Sequence, residues 1–195
     1  MRVLLAWNGP ANSDERSVMA RRQVPLLARL ATDGVAATVA LFGDPGGARD
    51  DLHDAGIDVE VLPTPLPPAP LTLGRLPVAV ARLTRLVRRG NPTILEGDEP
   101  MPAIAMGLAS RGRRHGVVVY RRHHSIGRKR LILASRIAAG LADWTIVSSE
   151  TMRAQAALDD RTPINRIEVA ASGAMEPQEV TAAEIAAARA SLGIS

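Results

Sequence analysis

Short apolar runs of strand length alternate with helix-period segments throughout this 195-residue chain. That alternation limits its fold more than any other feature. Residues 2–7 (RVLLAW) form an apolar run stopped by Asn8-Gly9-Pro10, a turn signal. Asn12, with Glu15 three residues on, caps an expected helix over 14–32, closed by Asp33-Gly34. Residues 35–42 (VAATVALF) read as a second buried strand, then a loop over 43–47 and a short helix ending at Gly56. Residues 57–62 (IDVEVL) alternate as a third strand. The proline-rich stretch 63–70 is an extended connector without many backbone donors. Further strands are expected at 93–95, 116–120, 144–147 and 166–169, with helices over 75–89, 101–114, 127–141 and 149–158. Thr181 and Glu184 form a capping box for a last helix.

Apolar strands separated by helices predict a mainly parallel sheet covered on both faces, a Rossmann-like doubly wound α/β domain. In such sheets ligands bind outside the carboxyl ends of the strands. The loops to weigh are therefore 8–13, 43–47, 96–100, 121–127, 148–150 and 171–175. The pattern suggests one domain over 1–177, and a terminal helix over 178–195 leading towards a second domain that the chain does not contain.

Composition removes several classes of function. There is no cysteine, hence no disulfide, thiolate metal site or cysteine nucleophile. All but one of the 24 basic residues are arginines, Lys129 being the exception, and the net charge is +4. A basic balance suits phosphate, anionic lipid or nucleic acid. An aromatic content of 2% leaves few rings for stacking bases, which argues against single-stranded nucleic acid. The start MRVLLAWNGP is too short for a signal peptide, and no apolar run reaches the ~18 residues that span a bilayer. A cytoplasmic protein is expected. The 75–89 helix is amphipathic, with Arg82, Arg85, Arg88 and Arg89 off its apolar side. Packing on the sheet is the main expectation, and a peripheral contact with the inner face of a membrane is the other reading.

Standard nucleotide and hydrolase motifs do not occur. The first strand is not followed by G-x-G-x-x-G, there is no Walker A sequence, and Ser172-Gly173 lacks the first glycine of a G-x-S-x-G elbow. Asp51, His53 and Asp54 do not share one helix face, so they read as solvated residues, and no metal site is expected. The sharpest constellation is Arg121-Arg122-His123-His124-Ser125, at the carboxyl end of an expected central strand. Two guanidiniums there suit an anionic ligand, and a histidine suits proton transfer near neutral pH. A solvated basic loop is the alternative. Glu96, Asp98 and Glu99 cluster at another strand exit, where acids also favour the following helix dipole. Asn8, Gly9 and Asn12 offer backbone amides and a helix N-terminus to an anion or a sugar hydroxyl.

Several segments together resemble a family. MRVLLAW with its polar turn, GVVVYRRHHS, LADWTIVSSETMRAQ, NRIEVAASGAMEP and ARASLGIS follow one another as in the N-terminal domain of retaining GT-B glycosyltransferases, the class of glycogen synthase and phosphatidylinositol mannosyltransferase. The resemblance covers nearly the whole chain. It departs from the family at the usual Gly-Gly after the first strand, replaced by Asn8-Gly9-Pro10-Ala11-Asn12. It departs again at the Asn-Gly-Val-Asp turn, replaced by Ala171-Ser172-Gly173-Ala174.

The resemblance implies an acceptor-binding domain of an enzyme that moves a sugar from a nucleotide-sugar donor with retention, without a required metal or other cofactor. The donor would sit mainly on a C-terminal domain absent from this chain, so the chain alone would be inactive. His123 would lie beside the transferred sugar as the catalytic-site residue. Asn8, Gly9, Asn12, Glu96, Asp98, Arg121, Arg122, His124 and Ser125 would bind substrate. Three alternatives stand: a non-catalytic GT-B-like binding module, half of a split enzyme, and another small-molecule α/β enzyme using His123. The acceptor is not identified.

Overall fold

A computed structural model describes residues 1–8, 13–62, 66, 74–111, 116–122 and 129–170, without the side chains of 13–22 and 129–130. Seven strands form one sheet in the order β3-β2-β1-β4-β5-β6-β7, and every neighbouring pair is parallel. The strands are β1 (Arg2–Asn8), β2 (Ala36–Phe42), β3 (Asp58–Leu62), β4 (Ile94–Asp98), β5 (Val117–Arg122), β6 (Trp144–Val147) and β7 (Ile167–Val169). The helices are α1 (Ser13–Thr32), α2 (Ala48–Asp54), α3 (Leu76–Gly90), α4 (Pro100–Ser110), α5 (Lys129–Leu141) and α6 (Glu150–Asp159). Strand order reverses direction between β1 and β4, the switch point of a doubly wound sheet. The Rossmann-like class expected from the alternation is therefore the class observed.

Because side chains alternate across a strand, each strand feeds two cores. Leu4 and Ala6 of β1, Leu95 of β4 and Val118 and Tyr120 of β5 pack with α3, α4 and α5. Val3, Leu5 and Trp7 face the other way, against Leu27 of α1 and Leu52 of α2. Val147, Ile167 and Ala156 make a smaller cluster beneath α6. Helix α4 is nearly all buried, from Met101 to Ala109. It lies so close to β4 that a Cβ on Gly97 would stand 2.2 Å from the Ala103 Cα, so only glycine fits there.

The structure corrects several boundaries. Two strands run further than apolarity suggests. β4 continues through Glu96, Gly97 and Asp98, and β5 through Arg121 and Arg122, where a loop was expected. Parallel pairing explains this: Glu96 and Gly97 pair with Leu5 and Ala6, Asp98 with Arg121, and Arg122 with Val147. The backbone ladder is satisfied whatever side chains it carries. Helix α4 ends at Ser110, four residues short of the expected Arg114. Pro25 sits inside α1 without ending it, close to the buried anchor Leu27. The 178–195 helix and its Thr181–Glu184 box lie outside the described residues.

Candidate functional site

The carboxyl ends of β1, β4 and β5 lie side by side at the switch point, and they bring Asn8, Glu96, Asp98 and Arg121 together. Asn8 closes β1 with its amide fully engaged. Its Nδ2 donates to Leu66 O at 3.1 Å and to Glu99 Oε2 at 2.7 Å, while its Oδ1 accepts from Leu66 N at 3.2 Å. One side chain therefore ties the fully buried Leu66 to both the β1 and the β4 exits.

Glu99 was grouped with Glu96 and Asp98 in sequence but not taken as a site residue. Its backbone, at φ 69° and ψ 164°, lies where non-glycine residues rarely go. Such a conformation costs on the order of 1–3 kcal/mol and persists only where neighbours enforce it. Here the Asn8 amide holds its carboxylate, its N–H donates to Arg121 O at 3.3 Å, and Pro100 restricts its ψ to extended values. The strain therefore sits on the rim shared by β1, β4 and β5.

Alternation within β4 and β5 sends Glu96, Asp98 and Arg121 to the α1 side of the sheet. Arg121 Nε hydrogen-bonds and ion-pairs with Glu96 Oε1. Burial works against the Arg121 charge, but the hydrogen bond and charge of Glu96, with Asp98, more than offset it. The guanidinium is thus held above its ordinary value and stays charged at any physiological pH. Asp98 Oδ2 accepts from Gln23 Nε2 of α1 at 3.4 Å. Gln23 carried no signal in the sequence, because its role depends on where α1 crosses β4.

Arg122 goes elsewhere. Its side chain points to the opposite face, is fully buried, and stands 2.9 Å from Asp160 Oδ2 and 3.4 Å from Asp159 Oδ2. Beside it the Tyr120 hydroxyl shares a 2.9 Å hydrogen bond with Ser135 Oγ. Burial pushes the Asp160 carboxyl up; the Arg122 charge and Ser135 pull it down, and burial wins. Burial likewise raises the Tyr120 phenol. The structure thus separates two adjacent arginines that the sequence treated as one anion clamp. Gly9, Asn12, His123, His124 and Ser125 lie outside the described residues. Among the described residues no group of three His, Cys, Asp or Glu is placed to hold a metal ion, and no helix is long and apolar enough to cross a membrane.

A parallel α/β sheet with polar residues gathered at its switch point defines a Rossmann-like domain of the kind paired in GT-B glycosyltransferases. The profile of glycosyltransferase family 4 matches residues 19–174, and the chain belongs to that family. No curated protein matches it in sequence. Its fold is similar to that of Anabaena HepE, solved in complex with UDP and glucose. That match has TM-score 0.71 and 20% identity, over 99% of this chain and 50% of that one. A lipopolysaccharide outer core galactosyltransferase, WaaB in its apo form, matches with TM-score 0.68 and 13% identity over 92% of this chain and 48% of that one. UDP-GlcNAc 2-epimerase from Neisseria meningitidis, bound to UDP-GlcNAc, matches with TM-score 0.58 and 16% identity over 87% and 45%. The chain spans about half the length of each.

Proposed function

We propose that this domain is the acceptor side of a retaining glycosyltransferase that takes its sugar from a nucleotide-sugar donor in the cytoplasm. The observation that carries the reading is the polar rim at the β1–β4–β5 switch point, in a chain that belongs to glycosyltransferase family 4. The two-to-one length ratio to HepE and WaaB supports a second domain, outside this chain, that holds most of the donor.

In this reading the acceptor sugar or headgroup rests on the rim. Arg121, kept charged by Glu96, attracts an acidic acceptor or a donor phosphate, and Asp98 accepts from an acceptor hydroxyl. Asn8 and Glu99 hold the rim in shape. His123, which follows β5 in sequence, contacts the transferred sugar in this reading, and His124, Ser125, Gly9 and Asn12 bind substrate. The bond from the sugar anomeric carbon to the nucleotide phosphate breaks, the nucleoside diphosphate leaves with the electron pair, and the acceptor oxygen bonds to the same face of the sugar. The acceptor proton leaves with the phosphate. Arg122 does not take part; it anchors the end of β5 from behind.

The test uses the complete gene product with UDP-glucose and other nucleotide sugars, following nucleoside diphosphate release and the anomeric configuration of the product by NMR. Slow transfer to water suffices when the acceptor is unknown. Release with retained configuration, reduced at least tenfold by His123→Ala, is expected. Undiminished turnover in that variant would remove His123 from the site. Release of an epimerised sugar would place the chain with the epimerases instead. The 195-residue chain alone should bind nucleotide sugars no tighter than about millimolar, a free energy near −4 kcal/mol.

A further inference from the structure

The space between α5 and α6 gathers polar atoms that have no hydrogen-bond partner among the described residues. Register fixes its floor. Tyr120 and Arg122 of β5 point to the α5 side of the sheet, and Thr145 and Val147 of β6 pair with them, so Thr145 shares that side. Asp159 and Asp160 close the space from the C-terminal end of α6, and the chain then turns through Arg161, at φ 56°, into Thr162. Arg122, Thr145, Asp160 and Thr162 are all buried. The guanidinium spends two nitrogens on the acids: Nε stands 2.9 Å from Asp160 Oδ2, and Nη2 stands 3.4 Å from Asp159 Oδ2. Its third nitrogen, Nη1, is left over, and so is Asp160 Oδ1. The Thr145 and Thr162 hydroxyls are buried in the same condition. Four such atoms unpaired would remove a large share of a domain's stability.

We propose that this space is a hydration site, in which ordered water bonds to Arg122 Nη1, Asp160 Oδ1 and the Thr145 and Thr162 hydroxyls. The chemistry of the open atoms names the ligand. Nη1 only donates, an ionised carboxylate oxygen only accepts, and a hydroxyl does either, so whatever joins them must both accept and donate. Charge argues against an ion. Two guanidiniums, Arg122 and Arg136, stand with two carboxylates, Asp159 and Asp160, and Arg136 Nε donates to the Asp159 carbonyl. A balanced set of charges suits a neutral ligand. Tyr120 and Ser135 satisfy each other at 2.9 Å, so they wall the site and make no demand on the water. An internal water takes about 2–4 polar partners, which these four atoms supply. The water links Thr145 of β6 and Thr162, on the way to β7, to the ion pair that holds the end of β5. The inference stands on the packing of the domain and does not depend on the transferase reading.

The test joins a high-resolution crystal structure of the full chain to urea unfolding of Thr145→Val and Thr162→Val. Water density about 2.7–3.2 Å from Arg122 Nη1 and from Asp160 Oδ1 is expected. Threonine to valine keeps the branched shape and removes only the hydroxyl. Where that hydroxyl holds water, each variant strips the water of a partner, and the urea midpoint should fall by about 0.5 M. Where the space is dry, the same change removes a buried unpaired hydroxyl, and the midpoint should rise. The sign of the shift therefore separates the two cases. An unchanged or raised midpoint in either variant would overturn the inference. So would density in which Nη1 and Oδ1 bond to protein atoms alone, or a peak that scatters as an ion heavier than water.

Discussion

Arg122 and Asp160 offer the sharpest test of how the end of β5 is held. Both side chains are fully buried, 2.9 Å apart, in a pocket closed by Tyr120 and Ser135. The contact is an ion pair and not a hydrogen bond: Arg122 Nε makes none with Asp160 Oδ2 despite the 2.9 Å approach. Arg122→Met keeps much of the volume and leaves Asp160 buried without its cation. Removing one partner of such a pair costs about 3–5 kcal/mol, a large share of the roughly 5–15 kcal/mol that stabilises a domain. With a urea dependence near 2 kcal/mol per molar, the unfolding midpoint should fall by about 2 M. Removing both charges, as in Arg122→Met/Asp160→Leu, should recover most of that loss, because the penalty comes from the orphaned charge rather than from a missing attraction.

The pH dependence adds an independent check. Asp160 sits above its ordinary value of 3.8 because burial outweighs Arg122. A carboxyl raised in the folded state binds its proton more tightly there than in the unfolded chain. Its contribution is therefore present below the unfolded value and lost as pH rises through the folded one. Urea midpoints compared between wild type and Asp160→Asn should diverge over that window, with wild type losing stability relative to the variant as pH rises. Arg122→Met should move the window higher. If the two single variants each cost under about 1 kcal/mol and their effects simply add, the buried pair is not coupled and the reasoning fails.

Two further perturbations probe the rim and the layer beneath it. Gly97→Ala places a methyl 2.2 Å from the Ala103 Cα, which forces α4 away from β4. A loss of about 2–3 kcal/mol, seen as a thermal midpoint roughly 4–12 °C lower, is expected, and an unchanged melt would mean that α4 does not press on β4. Asn8→Ala removes three hydrogen bonds that tie Leu66 and Glu99 to β1. A loss of about 2–4 kcal/mol in urea unfolding should accompany faster amide exchange at Leu66, while intact protection there would refute the clamp.

The alternation of apolar runs and helix-period segments was enough to read the sheet, because buried parallel strands are apolar on both faces. Where β4 and β5 turn polar that signal ends, yet Glu96-Gly97-Asp98 and Arg121-Arg122 remain strands because β1 and β6 pair with their backbones. The candidate site sits in those polar extensions, so its residue types were visible and its geometry was not. Glu96, Asp98 and Arg121 meet only because β4 and β5 lie next to each other. Gln23 joins them from 75 residues away in sequence. Glu99 gave one local hint, its position before Pro100, but its positive φ depends on Asn8, across the sheet.

Arg121 and Arg122 carry the most general consequence of that limit. Read as a dipeptide, they look like two equal arms for one anion. Placed in a strand, they point to opposite faces, as successive residues must. The α1 face offers Arg121 a buried carboxylate and a half-open rim, so its charge remains at the site's edge. The α6 face offers Arg122 Asp159 and Asp160 in a closed pocket, so its charge is spent inside the protein. The strand therefore divides the work: one arginine at the rim and one fixing the strand that carries it. A variant series that treated the two as interchangeable would find the larger loss of stability at Arg122, whose pair is wholly buried, and a smaller one at Arg121, whose pair is partly open to solvent.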